Sequence, residues 1–302
     1  MTSLVTLSTI QAAAASISDS LHKTPVLTSQ SINNLSNKKI YFKAENLQKT
    51  GSFKARGALH AALCHQAGGG DVARLVTHSS GNHGTALAWA AQALGTPCTV
   101  VVPEGCPEVK CRAIQAYGAE LVFCKQTPTA REEAAERIIQ EQGGVLIPSS
   151  NHPDVISGQG TLALELLEQV PDLDLVLVPI SGGGMAAGVA VAVKAIRPQC
   201  KVMAVEPEGK CLEQSLEAKK RLWRNPPAYL RTKAGNSSAR SSMIAKVTVN
   251  PTTTIPPKQT LFWIITKTSQ TKTTLGNTES WHRARLCLHM CKQTNPLFYS
   301  IH

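Results

Sequence analysis

The chain has 302 residues, 42% of them hydrophobic, and a formal net charge of +11, long enough for one large or two medium-sized cores. That charge is not spread: residues 1–220 hold 19 Lys+Arg and 19 Asp+Glu, whereas residues 221–302 hold 12 basic residues and one acid, Glu279. The neutral body lacks the electrostatic footprint of a nucleic-acid binder, and no apolar run approaches the roughly 20 residues of a membrane helix.

In chain order, short β-branched runs alternate with helical patterns. Lys39–Lys43 reads as a strand and Phe53–Ala67 as a helix; Leu75–His78 is a strand leading into a helix from about Asn82 to Leu94. Further strands are expected at Cys98–Val102, Leu121–Cys124 and Val145–Ile147, with helices near Pro107–Tyr117 and Thr129–Gln142. Leu173–Ile180 reads as a buried strand, Gly184–Ile196 as its helix, and Lys201–Val205 as the start of another unit. Such alternation predicts an α/β fold, a doubly wound parallel sheet covered on both faces and joined by right-handed crossovers. Ligands in these sheets sit beyond the carboxyl ends of strands. Ser79–Gly84 and Ser181–Met185 both fall there.

Beyond Leu230 the texture changes to Thr-, Pro- and Lys-rich runs such as Pro251–Pro257 and Thr266–Thr274. Neither strand–helix alternation nor a long amphipathic helix is legible, and residues 231–302 are expected to be a disordered basic tail. The nine cysteines form no CxxC pair, so they read as reduced thiols of a cytoplasmic protein. Cys287, His289 and Cys291 are too poorly spaced for a zinc site, and no metal ligands are assigned. The absence of Lys or Arg before Lys23 gives no sign of a secretory or mitochondrial leader.

Three segments carry chemistry: Gly51-Ser52-Phe53-Lys54-Ala55-Arg56-Gly57, Ser79-Ser80-Gly81-Asn82-His83-Gly84 and Ser181-Gly182-Gly183-Gly184-Met185. A lysine able to form a Schiff base, with a helix N-terminus able to hold a phosphate, is what pyridoxal phosphate requires. Each signal has a bland reading. Most lysines are solvated at a surface, and a Ser-Ser-Gly-Asn turn is ordinary loop composition. Gly182, Gly184 and Ala187, followed by Glu206 about 20 residues on, also fit a dinucleotide fingerprint. An NAD-dependent oxidoreductase therefore stays open at this point, although Lys54 and Asn82 would have no task in it.

In this order and spacing the three segments resemble the serine racemase and serine/threonine dehydratase family, over about residues 21–230. The resemblance implies a fold type II, tryptophan synthase beta-like pyridoxal-phosphate enzyme. Its large domain would comprise 1–73 and 152–230 and be incomplete, with a small domain at 74–151 and cofactor in the cleft between. It implies Lys54 as the lysine that binds the cofactor, Phe53 beside the ring, Asn82 on the ring hydroxyl, and Gly182, Gly183, Gly184 and Met185 around the phosphate. Ser79, Asn82, His83 and Arg131 would hold the substrate carboxylate, and Ser80 would face Cα opposite Lys54. L-Serine, with L-threonine, is the implied substrate, racemised or deaminated, in a homodimer with no nucleic-acid or membrane partner. The family's divalent cation (Mg²⁺ or Ca²⁺) and ATP are implied too. Two departures stand out. Leu212 replaces the second acid that would join Glu206 around a hard cation, and the tail lacks the Ser-Ala-Gly-like turn that meets the pyridine nitrogen. A truncated, inactive relative is therefore the competing reading.

Overall fold

Thr6 opens the first helix by a reciprocal cap. Its hydroxyl accepts from the Thr9 N–H at 3.3 Å, while the Thr9 hydroxyl accepts from the Thr6 N–H at 3.0 Å, satisfying two donors that a helix start would otherwise leave unpaired. The structure, a computed structural model, describes residues 5–68 and 73–206, Ser215, and the backbone of two strands at 260–264 and 299–300. Helix α1 (Leu7–Ile17) precedes strand β1 (Val26–Thr28), helix α2 (Gln30–Ser36), strand β2 (Lys39–Lys43) and helix α3 (Lys54–Ala67). Next come β3 (Leu75–Thr77), α4 (Asn82–Leu94), β4 (Cys98–Pro103), α5 (Glu108–Gln115), β5 (Glu120–Cys124), α6 (Pro128–Gln142) and β6 (Val145–Leu146). Helix α7 (Pro153–Gln169), β7 (Leu175–Pro179), α8 (Gly184–Ile196), β8 (Lys201–Val205), β9 (Thr260–Ile264) and β10 (Tyr299–Ser300) complete the order.

The strands form two sheets. One runs β5-β4-β3-β6, all parallel; the other runs β1-β2-β9-β7-β8-β10, parallel inside and antiparallel at its two outer pairs. Alternation in the first sheet covers both faces. Val100 and Val102 pack with α3 and α4, whereas Val76 and Val101 pack with Ala134, Ala135 and Ile138 of α6, the period-two pattern of a strand buried on both sides. In the second sheet Val176, Val178 and Val202 pack with α1, α7 and α8.

This is the α/β arrangement that the strand–helix alternation predicts, with two corrections. Helix α7 and the short elements α1, β1 and α2 escape the periodicity reading. The tail, to which that reading gave no strand, contributes β9 between β2 and β7 and β10 beside β8. Thr260-Leu261-Phe262-Trp263-Ile264 has the β-branched and aromatic composition of a strand. The remaining expectation of disorder over 231–302 lies outside the described residues, as do Leu212 and the Cys287–Cys291 cluster.

Two close helix crossings set up the ligand site. A Cβ on Gly158 of α7 would lie 2.6 Å from the Gly57 Cα of α3, and one on Gly188 of α8 would lie 2.7 Å from the Gly160 amide of α7. Only glycine permits backbones to approach this closely. Helix α7 thereby grips α3 on one side and α8 on the other. A buried charge network adds direction to the α3 contact. The Arg56 guanidinium donates to Glu45 at 2.8 and 2.9 Å and to Glu165 at 2.6 and 3.0 Å, and the Lys43 ammonium donates to Glu165 at 2.7 Å, Gln169 at 2.8 Å and the Thr24 carbonyl at 2.9 Å. Two cations face two carboxylates, so the network closes neutral. Burial opposes the charge on Arg56, but Glu45 and Glu165 outweigh it and raise its pKa.

Candidate active site

A cavity of about 400 Å³ is lined by Phe53 and Lys54 from the start of α3, Ser79, Asn82 and His83 around the start of α4, Ser149 and Ser150 after β6, and 179–186 at the start of α8. Three strands of two sheets end here, where an open α/β sheet binds its ligands.

Lys54 is the chemical centre. Its amine donates to the Ser149 carbonyl and lies 5.2 Å from the Phe53 ring centroid. Burial alone lowers its pKa to about 8, because no carboxylate among the described residues pairs with it. About a tenth is thus uncharged, nucleophilic amine at pH 7, far more than for an ordinary lysine.

Opposite stands the turn before α8. Gly183 has φ +90° and caps the helix without any side-chain hydrogen bond, and no acid occupies the first turn. The first-turn N–H groups, which a helix leaves without intrahelical acceptors, and the positive end of the helix dipole suit an anion. Gly182 and Gly184 press against Ser150: a Cβ on Gly184 would sit 2.5 Å from the Ser150 carbonyl oxygen. Side chains here would shut the turn. Helix α4 also starts without a side-chain cap, at Gly81.

His83 is buried, and its Nε2 lies 3.0 Å from the Ile147 carbonyl. A carbonyl only accepts, so Nε2 carries the proton. Burial first, then the Lys54 charge, lowers the imidazole pKa to about 3. Nδ1 is left as a buried acceptor with no partner among the described residues. The ring therefore has no N–H to offer a carboxylate, and any such contact from this residue falls to its backbone N–H in the first turn of α4.

The structure brings together Phe53, Lys54, Ser79, Asn82, His83, Gly182, Gly183, Gly184 and Met185. Ser80 adjoins Ser79 without lining the cavity. Arg131 lies on α6, its Nε donating to the Thr127 carbonyl at 3.4 Å, and is not a lining residue either. Ser149 and Ser150 were missed by sequence reading. The signal was present, since they follow the strand expected at Val145–Ile147, but no glycine marks this turn as it does the other two loops.

A doubly wound α/β fold with a desolvated lysine facing an uncapped helix start defines an enzyme site for a phosphorylated carbonyl cofactor. The amine, the glycine turn and the anion-ready N–H groups fit pyridoxal phosphate. Residues 17–258 match the family model described as pyridoxal-phosphate dependent enzyme, and the chain belongs to that family. It is 46% identical to human serine racemase over 219 residues, 71% of this chain and 64% of that protein, so it spans less than two thirds of that relative's length. Among solved structures it resembles a pyridoxal 5'-phosphate-dependent aspartate racemase, at 51% identity and TM-score 0.70 over 74% of this chain and 69% of that one. Serine racemase from Dictyostelium discoideum is 43% identical, with TM-score 0.68 over 73% of this chain and 72% of that one.

Proposed function

We propose that this chain is a serine racemase-like enzyme that interconverts L-serine and D-serine, with L-serine and L-threonine ammonia-lyase activity beside it. The observation that carries the reading is the Lys54 amine, desolvated to a pKa of about 8 in the same cavity as the uncapped start of α8. Bound there, pyridoxal phosphate supplies an aldehyde for the substrate's amino group and a ring that accepts electrons from the bond breaking at Cα.

The protein's share is binding and proton handling. The N–H groups at Gly184 and Met185, with Gly182 and Gly183, would hold the phosphate. Phe53 would lie beside the ring and Asn82 would meet its hydroxyl. Ser79, Asn82 and the backbone N–H of His83 hold the substrate carboxylate at the start of α4. Lys54 would take the Cα proton on one face; Ser80, next to the lining residue Ser79, is the residue that likeness to the family assigns to the other. Racemisation needs both carriers, whereas loss of the β-hydroxyl needs abstraction on one face only. Arg131 has no part in this arrangement. By resemblance Glu206 and Leu212 would offer one carboxylate and a hydrocarbon, a poor donor set for a hard cation such as Mg²⁺ or Ca²⁺.

The residues 74–151 carry one sheet and form the small domain, with 1–73 and 152–230 in the large one; likeness to the family favours a homodimer. The six described cysteines are free thiols, which supports a cytoplasmic setting. No helix among the described residues is long and apolar enough to cross a membrane. The family match leaves the NAD reading without support.

The test is the visible absorption of purified protein together with D-serine and pyruvate formed from L-serine. The lysine-bound cofactor band should disappear in Lys54→Ala, and Ser80→Ala should lower D-serine formation more than pyruvate formation. A wild-type chain that binds the cofactor but forms neither product would establish the inactive relative. Absence of the band in wild type would sink both.

A further inference from the structure

Away from the cavity, the C-terminal half of α3 and the first turn of α7 bring five metal-ligating side chains together. His65, His152 and Asp154 place one ligand atom each within 4.8 Å of one another, and His60, Cys64 and Asp154 do the same. We propose that His65, His152 and Asp154 bind a zinc-type divalent transition metal between these two helices.

Two buried ring nitrogens single out this triad. His65 Nε2 and His152 Nδ1 have no hydrogen-bond partner among the described residues, a state that buried polar atoms rarely tolerate. The rings lie 6.0 Å apart at 38°, and His152 Nδ1 stands 3.7 Å from the Asp154 carboxylate, beyond a hydrogen bond but at the separation of two ligands on one ion. Two imidazoles and a carboxylate, with water in the remaining place, suit Zn²⁺ and its neighbours. They offer too few oxygens for Ca²⁺ or Mg²⁺. All three residues are half-buried.

The second triad is already satisfied. His60 Nε2 lies 3.5 Å from Cys64 Sγ and its Nδ1 lies 3.0 Å from the Ser16 hydroxyl. Position gives the site a consequence. His152 follows Ser149 and Ser150, which receive the Lys54 amine and pack on the glycine turn. A cation here would staple that wall of the cavity to the lysine helix.

The experiment uses the tag-free full chain, stripped with a chelator, reloaded with Zn²⁺ or Co²⁺ and gel-filtered before metal analysis. Because the chain also carries Cys287, His289 and Cys291, the readout is a difference. Wild type should retain one equivalent more than His65→Ala/His152→Ala, Asp154→Asn should lose the same equivalent, and Cys64→Ser should keep it. The Co²⁺ difference spectrum between wild type and the double variant should show ligand-field bands without sulfur-to-metal charge transfer. Equal metal content in wild type and the double variant would overturn the site. So would loss in Cys64→Ser with a charge-transfer band, which would move the ion to His60, Cys64 and Asp154.

Discussion

Lys43 and Lys54 are both removed from water, yet they meet opposite surroundings: one faces a carboxylate and the other does not. Lys43 is fully buried in the network with Glu165, Gln169 and Thr24; burial lowers its pKa, and Glu165 works against that. Lys54 has a backbone carbonyl for a partner and nothing to offset burial, so its pKa falls to about 8. The contrast teaches that desolvation alone does not make a reactive amine. Withholding the counter-ion does, and a protein can site both outcomes at the two ends of one short connection.

That contrast can be broken at either lysine. The largest effect is expected for Lys54→Ala, which should cut turnover at least about 1,000-fold by removing the proton carrier while unfolding curves show the fold retained. Next comes Arg56→Met, which leaves Glu45 and Glu165 short of a positive partner inside the protein. Breaking a buried network this way costs about 3–5 kcal/mol, measurable by urea denaturation.

The cofactor-free protein should sharpen the comparison through pH. Between about pH 8 and 10.5 the unfolded chain holds a proton on Lys54 that the folded chain has lost. Folding stability therefore rises with pH across that window, by about 3 kcal/mol, and Lys54→Met should flatten the rise. His83 gives a smaller effect on the acid side. Its folded pKa is near 3 against an ordinary 6.5, so stability falls as pH drops below 6.5, by about 2 kcal/mol at pH 5. His83→Gln, which keeps an N–H donor for the Ile147 carbonyl, should remove that slope.

Elements with a clean period and a glycine or strand boundary were legible. The strands at 39–43 and 201–205 and the helices at 82–94 and 184–196 lie where the pattern put them. Helix α7 was not, and its own packing explains why. Gly158 and Gly160 cost helix propensity but are required where α3 and α8 press against it, so the tertiary contact overrides the local signal. Around the site, the residues of the three glycine-flanked segments could be named because close approach to a ligand demands their types. The roles of Arg56 and the His83 ring could not, since both depend on partners distant in sequence: Glu165 for one, the Ile147 carbonyl for the other. Arg56 lies within the lysine segment yet spends its guanidinium on holding α3 in place.

The strand at 260–264 is paired on both sides, by β2 from near the start of the chain and by β7 from its middle. Until it has been synthesised and threaded between them, two long rows of backbone amides and carbonyls stand open to any other strand. Such distant pairing closes slowly. A nascent or clipped chain ending before residue 260 would expose those rows permanently, making chaperone dependence and edge-to-edge aggregation the natural hazards of this protein's biogenesis.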